Sequence, residues 1–212
     1  MKYLVLLLFV CFVFGEDYIP SRMRIVDTVG SNILVRGNIP LKGHESAFPE
    51  ILTKLEERRI HILPNHLIID ISLLHGNGSD DKLIKREMKN ENPQVHLIHW
   101  EIREMNVSPW DVPYHARDQY LKNQTDFNSY VALIDFIYET MHENHNRQYI
   151  LYVHCEHGID RTGIVIGGYQ LRYLRSSWGD VSRWNQEIGG RPIWGGYENV
   201  LNWFYWRFYE YE

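Results

Sequence analysis

Cysteine is nearly absent from this sequence, with two thiols in 212 residues. Cys11 lies in an apolar run, Tyr3–Phe14, that follows a single positive charge at Lys2. Small residues Val13 and Gly15 then precede acidic Glu16 and Asp17. That order predicts a secretory signal peptide over residues 1–15, too short to span a bilayer comfortably; an uncleaved anchor is the other reading. With the segment removed, Cys155 is the sole thiol. An intramolecular disulfide is then excluded, and a secreted product must rely on its core. The sequence also lacks any run of Lys or Arg, and its formal net charge is −5. Affinity for a nucleic-acid backbone rests on clustered positive charge, so a general DNA or RNA binder is disfavoured. No second segment is apolar and long enough to cross a membrane. Internal repeats and low-complexity tracts are missing too, which leaves one globular domain as the expectation.

What is present fits that expectation. Sequons at Asn77, Asn106 and Asn123 favour a glycosylated product of the secretory pathway. Residues 16–30 read as a leader and 31–212 as the domain. "NILVRG" (32–37) predicts an entry strand, and "AFPEILTKLEERRI" (47–60) an amphipathic helix with Phe48, Ile51, Leu52 and Leu55 on one face. "HLIIDI" (66–71) is a continuous apolar run, as expected of a strand buried on both faces. "GNGSDD" (76–81) predicts a loop and "VHLIHWEI" (95–102) another strand. "SPWDVPYHARDQYL" (108–121) opens like a short helix capped by Ser108. "TDFNSYVALIDFIYETMHE" (125–143) is a long helix with Thr125 or Asp126 as its cap. "QYILYV" (148–153) is a strand and "TGIVIGGYQLRYL" (162–174) the helix after it. Near the C-terminus Leu201, Phe204, Tyr205 and Phe208 form one core-facing stripe. Trp203 and Trp206 lie partly off it; core packing is the favoured reading for them, since an apolar stripe is normally buried, and a membrane-interface or partner surface is the other. Strands alternating with helices predict an α/β domain, a central mostly parallel sheet flanked by helices on both faces.

In such sheets ligands bind beyond the carboxyl ends of the strands. "HCEHGIDRT" (154–162) occupies that place. As a tight turn, Cys155-Glu156-His157-Gly158-Ile159-Asp160-Arg161 converges backbone N–H groups on one point. The following helix adds the positive end of its dipole, which makes an anion cradle. Gly158 supplies a backbone conformation that other residues resist, and Arg161 a planar fork for two phosphate oxygens. A cysteine at the base of the cradle has its thiolate stabilised by the same N–H groups and becomes a nucleophile. Thr162 is placed to hydrogen-bond the sulfur, and His154 to order the loop. A metal site from His154, Cys155, Glu156 and His157 is disfavoured, because neighbours on one tight loop rarely all face one ion. His61, His66, His75, His96, His99 and His115 have no paired ligand spacing either. A catalytically silent phosphate-binding module is the rival of a different class.

The same nine residues resemble the His-Cys-x-x-Gly-x-x-Arg-Ser/Thr signature of the cysteine-dependent protein tyrosine phosphatase superfamily, and the chain over 31–212 looks most like its compact dual-specificity branch. The histidine at 157 makes the motif similar to the RNA 5′-triphosphatase type of metazoan mRNA-capping enzymes, and "ILVRGNIPLK" and "LIIDIS" are similar to that group's early segments. The resemblance implies hydrolysis of phosphate esters through a phosphocysteine at Cys155, with Arg161 binding the phosphate and no metal or cofactor. It also implies an aspartate as general acid ahead of the helix that precedes the cysteine strand. Asp111, Asp118 and Asp126 are the candidates, and Asp126 is nearest the expected position. Phosphotyrosine, phosphoserine or phosphothreonine proteins are the expected substrates. An RNA 5′ end, a phosphoinositide or another small phosphate ester are the alternatives, and DNA is not expected.

Overall fold

The computed structural model describes residues 17–210 apart from 77, 79, 91 and 145. The predicted signal peptide with Cys11, and Asn77 and Ser79 of the first sequon, lie outside the described residues.

A five-stranded sheet in the order β1-β2-β7-β5-β6 organises the chain. Its strands are β1 (Arg24–Val29), β2 (Asn32–Asn38), β5 (Leu67–Ser72), β6 (Val95–His99) and β7 (Tyr149–Cys155). Strand β1 runs antiparallel to β2, and the remaining pairs are parallel. A small hairpin, β3 (Leu41–Lys42) with β4 (Glu45–Ser46), lies outside the sheet. Strands β2, β5 and β7 are buried on both faces, which is why they read as unbroken apolar runs. Residues 24–29 of the segment read as a leader form the edge strand β1.

The two faces carry separate cores. On one, Ile33, Val35, Ile68, Ile150 and Tyr152 meet Tyr18, Met23 and helix α1 (Phe48–Glu57) through Phe48, Ile51 and Leu55. On the other, Leu34, Ile69, Ile71, Leu151 and Val153 meet the remaining helices. These are α2 (Asp80–Glu87), α3 (Arg117–Lys122), α4 (Thr125–His142), α5 (Asp160–Arg172), α6 (Trp178–Gly189) and α7 (Gly195–Tyr205). The α/β architecture with helices on both faces is therefore as the periodicity predicts.

Three local differences have physical causes. Helix α2 begins inside the stretch read as a loop. Asp80 and Asp81 occupy its first turn and Lys85 and Arg86 its last, an order that complements the helix dipole. The Gly and Asn before them dominate a composition-based reading. Helix α6 has no counterpart in the sequence reading; Ser177 caps it by accepting the Asp180 N–H at 3.1 Å. Helix α4 starts from Gln124, whose side chain makes no cap, so Thr125 and Asp126 are first-turn residues instead.

Trp203 and Trp206 are not a surface: they are 0% and 1% exposed. The irregular stretch after β6 folds over α7. Trp203 stacks on Tyr120 at 5.0 Å and donates Nε1–H to the Val107 carbonyl at 2.8 Å, while Arg117 lies over the Trp206 ring. Trp194, ahead of α7, is left in solvent at 70% exposure, and Trp110 is exposed as well. Among the described residues no helix is long and apolar enough to cross a membrane.

Candidate active site

Parallel pairing fixes where the motif emerges. Register sets Gly37 of β2 opposite His154 and Asn38 opposite Cys155, while Ser72 of β5 faces His154 from the other side. The chain leaves β7 at Cys155 and re-enters structure at Asp160, the first residue of α5, so the intervening turn wraps the N-terminus of that helix. The positive end of a thirteen-residue helix therefore points toward the thiol.

Gly158 makes the turn possible. Its φ is +68°, and a Cβ there would lie 2.6 Å from the Gly37 carbonyl carbon and 2.7 Å from the Asn38 nitrogen. The turn is thus pressed directly onto the β2 backbone. Gly37 is required for a second approach, because the Tyr152 hydroxyl occupies the place of its missing Cβ on the way to the Asn38 carbonyl, to which it donates at 2.8 Å.

Cys155 is 3% exposed at the floor of this turn. Burial opposes ionisation of its thiol. The Arg161 charge, the Thr162 hydroxyl and the backbone N–H groups of Thr162 and Gly158 outweigh that, holding the pKa below the ordinary thiol value. The Thr162 Oγ1–H donates to Sγ at 3.2 Å. Arg161 reaches across the mouth to the Leu73 carbonyl, 3.2 Å from Nη1, and pairs with Asp80 at the start of α2. Both contacts use Nη1. Asp80 also accepts the His75 N–H at 2.8 Å. Burial raises its pKa, but the Arg161 and His75 hydrogen bonds prevail and hold it below the usual carboxylate range.

The other motif residues take supporting places. His154 is wholly buried, with Nε2 3.0 Å from Asp70 Oδ1 and 3.4 Å from Glu87 Oε1. Glu156 gives its carbonyl to the Ile39 N–H at 3.3 Å, and the His157 carbonyl accepts from Arg22 at 2.9 Å. Asp160 is held by both Nη atoms of Arg191, at 2.8 and 2.6 Å, and also accepts the Trp194 N–H. The exposed Trp194 is thereby fixed to the loop's outer edge. Ile159 is buried, and its carbonyl takes the Gly163 N–H. His154, Cys155 and Glu156 thus turn to different partners, and among the described residues no three His, Cys, Asp or Glu side chains gather as metal ligands.

Several residues that build the site escape motif reading. Arg36, in the middle of β2, is fully buried. It donates Nη2–H to the Gly158 carbonyl at 2.9 Å, pairs with Asn185 of α6, and lies 5.1 Å over the Trp184 ring. Burial pulls its pKa down to about 10. Its signal was an arginine inside an apolar strand, as was Asp70 inside "LIIDIS". Asp80, Glu87 and Tyr197 gave no such signal. Tyr197 is raised by burial; Arg161 opposes the shift, while Glu104, Cys155 and Asp80 add to it, so these groups share one neighbourhood at the mouth. Glu104 packs against Gly196, where a Cβ would lie 2.9 Å from its own.

The acid candidates are scattered. Asp111 ends an exposed 3-10 turn, and Asp118 is in the first turn of α3. Asp126 lines an open hollow with His99, Trp100, Glu101, Arg103 and Ser129.

No family model matches the sequence, and a search of the curated proteins finds no match. Solved structures give distant likenesses. Tk-PTP in its active form is 15% identical, with a TM-score of 0.43 over 86% of this chain and 94% of that one. The core catalytic domain of the PP-IP phosphatase SIW14 from S. cerevisiae is 15% identical, with a TM-score of 0.45 over 89% and 85%. The Yvh1 phosphatase domain from Chaetomium thermophilum is 15% identical, with a TM-score of 0.44 over 87% and 95%.

Proposed function

We propose that the protein is a cysteine-dependent phosphatase of the protein tyrosine phosphatase type, acting on phosphate monoesters of proteins. One observation carries the reading. A thiol with a lowered pKa sits under a helix N-terminus, with the Thr162 hydroxyl 3.2 Å from its sulfur and Arg161 braced at the mouth. A silent binding module has no use for a thiol whose ionisation its cradle favours.

The chemistry follows from these positions. Loop N–H groups and the Arg161 fork bind the phosphoryl oxygens, leaving phosphorus above Sγ. The thiolate attacks, the bond from phosphorus to the ester oxygen breaks, and that oxygen takes a proton from an acid at the mouth. Water then attacks phosphorus, the S–P bond breaks, and inorganic phosphate leaves. The Thr162 O–H stabilises sulfur as it regains negative charge.

The first test is hydrolysis of p-nitrophenyl phosphate by reduced protein. Wild type is expected to turn over and Cys155→Ser to be silent; a folded, reduced wild type without turnover defeats the reading. Substrate class is read from parallel rates on phosphopeptides, a triphosphorylated RNA and inositol phosphates. Faster γ-phosphate release from RNA than from any phosphopeptide replaces the protein assignment with an RNA one.

A further inference from the structure

Helix α2 meets the site at both of its ends. Its first residue, Asp80, pairs with Arg161, and its last, Glu87, approaches the histidine that precedes the thiol. At that second end two carboxylates converge on one buried ring nitrogen. Asp70 Oδ1 stands 3.0 Å and Glu87 Oε1 3.4 Å from His154 Nε2. The other Glu87 oxygen accepts the Ser72 hydroxyl at 2.9 Å and faces His99 Nε2 at 3.3 Å.

We propose that Asp70 and Glu87 are positioning residues that hold His154 as an imidazolium behind the nucleophile, with α2 linking this clamp to Arg161. The proposal rests on the phosphatase reading given above. Orienting a neutral histidine requires one acceptor, whereas two buried carboxylates around one nitrogen require a counter-charge. The groups facing the ring are Asp70 from β5, Glu87 from α2 with His99 of β6 behind it, and Tyr152 and Cys155 on β7 itself. Gly37, opposite on β2, presents no side chain. Burial alone would favour the neutral ring, but Asp70 and Glu87 prevail and its pKa is raised to about 9. Asp70 in turn is pushed up by burial, with His154 opposing the rise. The Cys155 thiolate is among the groups that raise His154. Interaction free energy is reciprocal, so the imidazolium favours the thiolate. One short helix thus governs both the ionisation of the sulfur and the placement of the phosphate-binding fork.

The test reads the thiol directly, without phosphatase turnover. Cys155 alkylation by iodoacetamide is followed against pH in wild type, Glu87→Gln, Asp70→Asn, His154→Gln and the double variant Glu87→Gln/His154→Gln. Midpoints in the single variants are expected to move up by roughly one pH unit, as the loss of a neighbouring opposite charge predicts. The double variant is expected to match His154→Gln alone. Unchanged midpoints in folded Glu87→Gln and Asp70→Asn overturn the clamp. Ring 15N shifts of His154 in the unaltered protein provide a second measurement that needs no variant to fold. Imidazolium shifts are expected to persist between pH 6 and 8, a range in which an ordinary histidine loses its proton, and neutral-ring shifts overturn the proposal. Midpoints that move as expected in a protein that hydrolyses no phosphate ester overturn the phosphatase reading and leave the clamp standing.

Discussion

Replacing Arg36 by methionine separates support of the loop from catalysis. Methionine keeps much of the aliphatic stem but removes the guanidinium, which joins Gly158 to Asn185 and lies over Trp184. Two opposing effects set the magnitude. Each hydrogen bond from a charged donor contributes about 1.5–3 kcal/mol, so two account for roughly 3–6 kcal/mol. Burial of the guanidinium works against this, and an arginine pKa pulled down to about 10 corresponds to about 3 kcal/mol of lost preference for the charged form. The variant should therefore be destabilised by at most about 3 kcal/mol, a fall in Tm of up to about 12 °C for a chain of this size. The effect on the site should be larger. Gly158 N–H is one of the groups that lowers the Cys155 thiol, and its carbonyl loses the contact that fixes the peptide's orientation. We expect the alkylation midpoint of Cys155 to rise and kcat/KM near neutral pH to fall about tenfold or more, about 1.4 kcal/mol in the transition state. Differential scanning fluorimetry and thiol alkylation measure the two effects separately. A variant with wild-type melting and a wild-type thiol would show that Arg36 neither anchors Gly158 nor acts on the sulfur.

Two further predictions address protons. Glu104→Gln and Asp126→Asn should be compared on aryl phosphates with good and poor leaving groups. The true acid is the one whose loss slows the poor leaving group by about 10²-fold or more and leaves the good one nearly unchanged; equal slowing of both classes by either variant rejects that residue. Stability should also depend on pH through His154. Its folded pKa, about 9, lies above the ordinary histidine value of about 6.5. The stabilisation is therefore complete below about pH 6.5 and lost as pH rises through about 9, by about 3 kcal/mol in total. Chemical denaturation at pH 6 and pH 9.5 should show this fall in wild type and a smaller one in Glu87→Gln; a flat wild-type profile would contradict it.

The parts of the fold legible in the sequence are those set by local chemistry. Apolar runs marked β2, β5 and β7 because these strands are buried on both faces. The spacing of Phe127, Tyr130, Ile134 and Ile137 marked α4 because one stripe of it packs inward. Cys155, Gly158, Arg161 and Thr162 were readable together because one short turn holds them. Partners brought in from far along the chain left no such mark. Asp80 is 81 residues from Arg161, and Arg36 is 122 from Gly158. Trp203 and Trp206 were open to a surface reading beside the core one for a related reason. A helical stripe shows which residues share a face, but not that an irregular segment will cover a second face.

The first described residues, from Asp17 onward, meet the cradle directly. Asn38, opposite Cys155 in the sheet, accepts the Ile19 N–H at 2.8 Å and donates to the Asp17 carbonyl at 2.9 Å. Arg22 reaches the His157 carbonyl, and the Tyr18 N–H donates to Leu41 at 2.7 Å. Residues 17–22 act as a stitch along the rim of the cradle. A protease that nicks after Arg22 or Arg24 would loosen the cradle and free Tyr18 from the core on the α1 side, while leaving the larger core intact. An affinity handle or fusion joined just ahead of Asp17 emerges beside the same rim. Enzyme made for kinetics is better tagged at its other end.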